Sequence, residues 1–434
     1  MLVCVHGDAD ACAVCVESSQ KTCVCRWQHL DSKDNVIPST LNILNTLNHR
    51  LMNNWRPLAR STLEQLGLLA FVRQLFGRKP DGSRPSNSPA QASPVANADV
   101  QSSSPADAQY AARLAVEQNT FANNINVHDL PQIYHYWSNK YLLPAHRPFG
   151  FTCPDSFYCL YLEQQIANAG SASARFVSVG AGNCDTEVRL ATMLKKRGHE
   201  NFTIECLDIN DDMLARGRKL ADEVGVVENI VIKKTDFNQW QPKGRYDAVI
   251  ANQSLHHVEQ LEGLFTRIKS AIGDSGIFLT SDMIGRNGHM RWPEALEIVQ
   301  EFWRELPPKY RHNQQLNRYE QEFDNWDCSD YGFEGIRAQD ILPLLISNFH
   351  FSAFFAFANV IDPFIDRSFG HNFDVNNEGD RGFIDRVALR DEAELRAGLV
   401  KPTHILAAMC ATPVTLEKFI APFTPEFSVR PVDT

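Results

Sequence analysis

From residue 175 onward, short runs rich in β-branched and aromatic residues alternate with longer stretches of helical periodicity. The runs cover 176–179, 202–208, 230–235, 246–251, 276–281, 351–360 and 404–409, and helical stretches at 187–197, 212–224, 260–272 and 293–306 lie between them. A chain that alternates in this way builds a doubly wound α/β fold: a mostly parallel, seven-stranded sheet with helices on both faces. Ligands of such sheets bind beyond the carboxyl ends of the strands, so the strand tips are where chemistry is expected.

The first tip reads Val179-Gly-Ala-Gly182, where glycines let the backbone approach a ligand that a Cβ would strike. The second ends in Asp208-Ile209, a carboxylate placed to accept from ribose hydroxyls; Asn210 or Asp211 is available to cap the next helix in its stead. The third ends in Asp236-Phe237, a carboxylate for an adenine amino group beside an aromatic face. Each signal alone is weak, and their succession on three strands is specific.

With Tyr246-Asp-Ala-Val-Ile-Ala-Asn252 and Ile272-Gly-Asp-Ser-Gly-Ile-Phe-Leu279, these motifs resemble the class I S-adenosylmethionine-dependent methyltransferases over roughly residues 134–410. The resemblance implies that Gly180 and Gly182 admit the methionyl part of S-adenosyl-L-methionine. It also implies that Asp208 and Ile209 hold the ribose, that Asp236 and Phe237 receive adenine, and that Asn252 borders the same site. The family often has an acidic residue two positions before the first glycine and a third glycine two after the second; Ser178 and Cys184 stand there. A nucleotide-dependent dehydrogenase would instead want glycine at Asp185.

Methyl transfer to oxygen requires an aligned acceptor and a proton acceptor. His256 and His257 follow the fourth strand, and adjacent residues point different ways, so at most one is expected to face the methyl group; His257 is favoured. The fifth strand ends in Asp282, followed by Arg286, His289 and Arg291, an acceptor-binding loop by position. Either arginine can clamp an anionic substituent or pair with acids such as Glu294 and Glu297. Tyr134 and Trp137, in the aromatic segment 130–143, and an insertion over 286–349 with Trp303, Tyr310, Tyr319, Trp326 and Tyr331 are expected to cover the acceptor. This mixed lining suits a polar small molecule or glycan. A second polar cluster runs from His371 and Asp374 to Asp385 and Arg386, and no spacing in the domain demands a metal. The competing reading is a cofactor-binding but catalytically silent scaffold.

The 434 residues divide into a Cys-rich extension (1–60), an amphipathic helix (61–78), a linker (79–105), a helical and aromatic cap (106–174), the methyltransferase domain (175–412) and a tail (413–434). Five of the eleven cysteines fall in the first 25 residues, including Cys12 and Cys15, where a small zinc site competes with a poorly ordered extension. The helix at 61–78 has basic flanks that suit an anionic membrane surface, but docking on its own domain is the simpler use. The linker is rich in Pro, Ser, Asn and Ala. No apolar run reaches the roughly 20 residues of a membrane span. A net charge of −10 and the lack of an Asn/Asp-Pro-Pro-Tyr-like site speak against nucleic acid. A cytoplasmic enzyme is therefore expected, and no motif addresses its oligomeric state.

Overall fold

The computed structural model describes residues 105–122, 130–330 and 332–431. The Cys-rich extension, the helix at 61–78, nearly all of the linker and Tyr331 lie outside the described residues. In chain order the main elements are α1 (Pro105–Ala122), α2 (Pro154–Ala169), β1 (Ala174–Val179), α3 (Asp185–Lys196), β2 (Phe202–Asp208), α4 (Asp211–Glu223), β3 (Ile230–Lys234), β4 (Ala248–Asn252), α5 (Leu261–Ile272) and β5 (Ile277–Met283). They continue with α6 (Pro293–Glu305), α7 (Ala338–Asn348), β6 (His350–Phe357), α8 (Glu378–Ala397), β7 (His404–Cys410) and β8 (Lys418–Phe419).

The sheet order is β8-β6-β7-β5-β4-β1-β2-β3. β1 to β5 are parallel, and β7 runs antiparallel to both β5 and β6. The eighth strand is two residues of the segment read as a tail, paired parallel to β6 through Lys418 and Phe419. The sequence pattern predicts seven strands; a two-residue pairing is too short to leave a periodic signal.

Alternate residues of each strand feed two cores. Val177, Val179, Val249 and Phe278 face one, and Phe176, Ile204, Ile250 and Leu279 face the other. Burial on both faces explains why β4 reads as an apolar run rather than an alternating one. The order reverses at β1, whose neighbours are β2 and β4, so a crevice opens beyond their tips.

Candidate functional site

Beyond those tips lies a cavity of about 1020 Å³. Its walls include Gly180, Gly182, Asp208, Ile209, Asp236, Phe237 and Asn252 on one side and Tyr134, His256, His257, His289, Arg291 and Glu334 on the other. The strand tips read from the sequence therefore open into one space.

The turn after β1 is left-handed at Gly180 (φ 73°) and Gly182 (φ 54°). At Gly180 the reason for glycine differs from the ligand approach inferred from sequence: a Cβ there would lie 2.6 Å from Ser254 Cβ, inside the protein's own packing. Cys184, at the family's third glycine, adopts φ 56°, and its Sγ fits because residue 217 is glycine; a Cβ on Gly217 would lie 2.8 Å from it. Ser178, at the family's acidic position, donates from Oγ to Glu187 Oε1 at 2.6 Å. A carboxylate thus reaches this corner from α3. Glu187 Oε2 is buried without a hydrogen-bond partner among the described residues, and burial pushes the carboxyl pKa up to about 7.

Asn210 caps α4, its side chain accepting from the amides of Asp212 and Met213, which leaves Asp208 to the cavity. Asp208 accepts from Gly182 N (2.8 Å) and Asn210 N (2.9 Å), and burial raises its pKa. Asp236 is already engaged: Tyr110 of α1 donates its hydroxyl to the carboxylate at 2.9–3.0 Å, and Asn238 N donates at 2.9 Å. An adenine amino group would share Asp236 with Tyr110. Asn252 accepts from Tyr158 Oη and donates to Thr186 Oγ1, so its side chain is held at the cavity edge.

The far wall is built around Glu334, which the sequence reading missed. His289 Nε2 lies 2.7 Å from Glu334 Oε1, His256 Nε2 lies 3.5 Å from the same oxygen, and His257 Nε2 lies 3.5 Å from Oε2. Asp282 sits behind His256, 2.6 Å from its Nδ1, and also accepts from the amides of Ser254, Leu255 and Met283. Asp282 is fully buried and is not part of the cavity wall, so it positions His256 rather than touching an acceptor. His257 Nδ1 pairs with Glu117 of α1 at 2.8 Å. Both adjacent histidines thus reach Glu334, where the sequence reading expected only one to face the site.

Burial works against charge on His256, but Asp282 and Glu334 outweigh it and raise its pKa to about 10. Burial likewise opposes charge on His257, and Glu117 raises its pKa. At neutral pH a His256 held as imidazolium cannot accept a proton, which counts against its expected role as base. His289 is lowered by burial despite Glu334.

Of the other expected acceptor residues, Trp326 lines the cavity and Tyr319 is exposed, and several of the rest are structural. Trp137, Trp303 and Tyr310 are buried in the core; their rings pack, because large aromatic surfaces are most stable away from water. Arg286 lies over the Trp292 ring and donates to Arg291 O, away from the cavity wall. Arg291 borders the cavity but is committed to Asp362 Oδ2 (2.7 Å), Asn359 O (2.7 Å) and His289 O (3.1 Å). Glu294 pairs with Arg430 rather than with either arginine. Replacing Arg291 with Ala takes the guanidinium from the buried Asp362, which keeps Thr403 and His404, and is expected to cost about 3 kcal/mol of stability in urea denaturation. Of the second polar cluster, His371 reaches the cavity, whereas Asp385 is taken by Tyr136, Tyr141 and Lys140, and Arg386 by Glu305.

Residues 177–278 match a family described as a methyltransferase domain. The chain is 27% identical over 116 residues to the malonyl-[acyl-carrier protein] O-methyltransferase 2 of Ilyobacter polytropus, a match covering 27% of this chain and 42% of that protein. It thus spans about two fifths of the length of that curated relative. Among solved structures, the O-methyltransferase of a trans-AT PKS multienzyme of Brevibacillus brevis with S-adenosyl-L-homocysteine is 12% identical, with a TM-score of 0.34 over 64% of this chain and 79% of that one. A sarcosine dimethylglycine methyltransferase structure from Galdieria sulphuraria is 14% identical, with a TM-score of 0.35 over 59% and 86%.

Proposed function

The chain carries a class I S-adenosylmethionine-dependent methyltransferase domain, and on that premise we propose that it methylates an oxygen of a polar small molecule or glycan. The observation that supports the reading is a single cavity with Gly180, Gly182, Asp208 and Phe237 on one wall and the histidines around Glu334 on the other. S-adenosyl-L-methionine supplies a sulfonium methyl group for in-line displacement. The residues present fit it. Asp208 is set to accept from the ribose hydroxyls, Phe237 offers its ring to adenine, and the unpartnered Glu187 Oε2 suits the methionyl ammonium. The acceptor hydroxyl would lie between the sulfonium and the Glu334 cluster. Asp362, Asp366, Arg367 and His371 extend the polar wall for the rest of a hydroxylated acceptor.

Glu187 gives the reading a pH signature. Its carboxyl ionises at about 7 in the folded protein against an ordinary value near 4.5, so in the free protein its contribution to stability falls as pH rises from about 4.5 to 7. An ammonium beside it favours the ionised form, so donor binding below pH 7 releases a proton. Affinity for S-adenosyl-L-homocysteine is expected to rise with pH, by up to about tenfold per unit, and to level off near 7. Calorimetry at pH 6 in buffers of different ionisation enthalpy should show that release, and Glu187→Gln should abolish it. A release unchanged in that variant would remove Glu187 from the donor site.

The overall reading is tested by incubating the full chain with methyl-labelled S-adenosyl-L-methionine and a panel of hydroxylated metabolites and glycans. Label is expected in a methyl ether or ester of a small acceptor. Incorporation only into protein or nucleic acid would contradict it.

A further inference from the structure

The geometry points to a divalent transition-metal site on the acceptor wall, formed by His256 Nε2, His289 Nε2 and the Glu334 carboxylate. The three come from separate segments: the turn after β4, the loop after β5, and the insertion before α7. Their donor atoms all lie within 4.8 Å of one another. An ion bonded at about 2.0–2.2 Å sets neighbouring donors about 3–3.5 Å apart, which the 2.7 and 3.5 Å separations from Glu334 approach, while the two imidazole nitrogens, within 4.8 Å of each other, would close on the ion. Two imidazoles and a carboxylate on one side of an ion suit Mn2+, Fe2+, Co2+ or Zn2+, and a cavity on the other side leaves positions for a ligand oxygen.

Three features mark this as a built site. The Asp282 carboxylate holds His256 by Nδ1, which fixes the ring with Nε2 toward Glu334, the arrangement that orients metal-ligating histidines; an ion bound there takes the place of the proton that Nε2 carries in the metal-free protein. His289 is held at φ 55°, a left-handed conformation that is strained for a side-chain-bearing residue and concentrates at functional positions. The three segments are also laced by backbone hydrogen bonds, from Gly288 N to Gly335 O (2.9 Å) and from Ile336 N to His256 O (3.1 Å). A Cβ on Gly335 would lie 3.0–3.1 Å from the backbone of Gly288 and His289, so glycine is needed there to bring Glu334 against His289.

The ion's use rests on the methyl-transfer reading; its presence does not. A hydroxyl coordinated on the open side would lose its proton more readily, to solvent through the open cavity. The O–C bond then forms as the S–C bond breaks with its electron pair on sulfur. Such an acceptor carries adjacent oxygens able to chelate the ion: a vicinal diol, a hydroxy acid or a sugar.

Mn2+ is the probe, because it is hard and poorly held by thiolates such as those of the N-terminal cysteines. Titrated into the chelator-treated full chain and followed by the paramagnetic resonance of the free ion, it is expected to bind saturably at about one ion per chain. His289→Ala and Glu334→Gln should each weaken binding at least about tenfold, and Asp282→Asn by about 10–100-fold. Should His289→Ala fail to fold, Glu334→Gln decides, since that side chain is 40% exposed and its replacement is nearly isosteric. Absence of Mn2+ binding to the wild type, or affinity unchanged in the variants that fold, overturns the site. S-adenosyl-L-homocysteine titrated into the same samples separates the two ideas: its loss condemns the donor reading and leaves the metal result standing.

Discussion

Glu334→Gln and His289→Ala are expected to lower kcat by about 10²–10⁴ while leaving the affinity for S-adenosyl-L-homocysteine within about twofold of the wild type. The separation follows from the cavity's two walls. Glu334 gathers three imidazoles at 2.7–3.5 Å, while Asp208 and Asp236 accept from Gly182 N and Asn238 N. Removing its charge leaves the neighbouring imidazoles without their shared partner, and the acceptor wall takes most of the change. His257→Ala gives a milder test of the same wall, since it sits beside Glu117 and outside the carboxylate–histidine line that runs from Asp282 through His256 to Glu334. Steady-state rates under saturating donor, with donor titrations of each variant, decide it. Equal losses of kcat and donor affinity would mean that the two walls are one site.

Asp208→Ala is expected to weaken S-adenosyl-L-homocysteine binding by about 10³. Two charge-assisted hydrogen bonds to ribose hydroxyls are worth roughly 1.5–3 kcal/mol each, and the variant also frees the Gly182 amide that Asp208 holds at 2.8 Å. Asp208→Asn keeps one acceptor and should lie between. Urea denaturation accompanies the titration, because the raised pKa of Asp208 marks a carboxylate that is costly to bury. The variant should bind donor far more weakly without being less stable. Affinity retained in Asp208→Ala would mean that the ribose is held elsewhere.

The donor wall was legible in the sequence, and the acceptor wall largely was not. Glycines and aspartates at the ends of apolar runs can be read because a strand of period two fixes where it stops, and the residue at its tip projects into the crevice. Asp208, Asp236 and Gly182 all line the cavity for that reason. Glu334 and Glu117 carry no such mark. Each lies in a segment remote from the histidines it meets, and only the packing of the insertion and α1 over the strand tips brings them together. Aromatic residues misled for a different reason. Trp137, Trp303 and Tyr310 have the composition of a sugar-binding surface, but the same rings fill a core equally well, and spacing cannot tell the two uses apart. Arg286 and Arg291 pointed to an anion clamp; they are held by a ring and by backbone and carboxylate partners within the fold.

α1 gives the donor side a second layer. Tyr110 reaches Asp236, Glu117 reaches His257 and Gln118 donates to Ile209 O, so one helix touches both walls. Its contacts at Asp236 fall where adenine is expected, which couples the seating of this helix to the donor.

Calorimetric titration of the purified full chain with S-adenosyl-L-homocysteine tests the central claim most directly. Saturable binding at one site per chain with micromolar affinity is the predicted result. No saturable heat from a folded wild-type sample would contradict a donor pocket at the tips of β1, β2 and β3, and with it the methyl-transfer reading of the cavity.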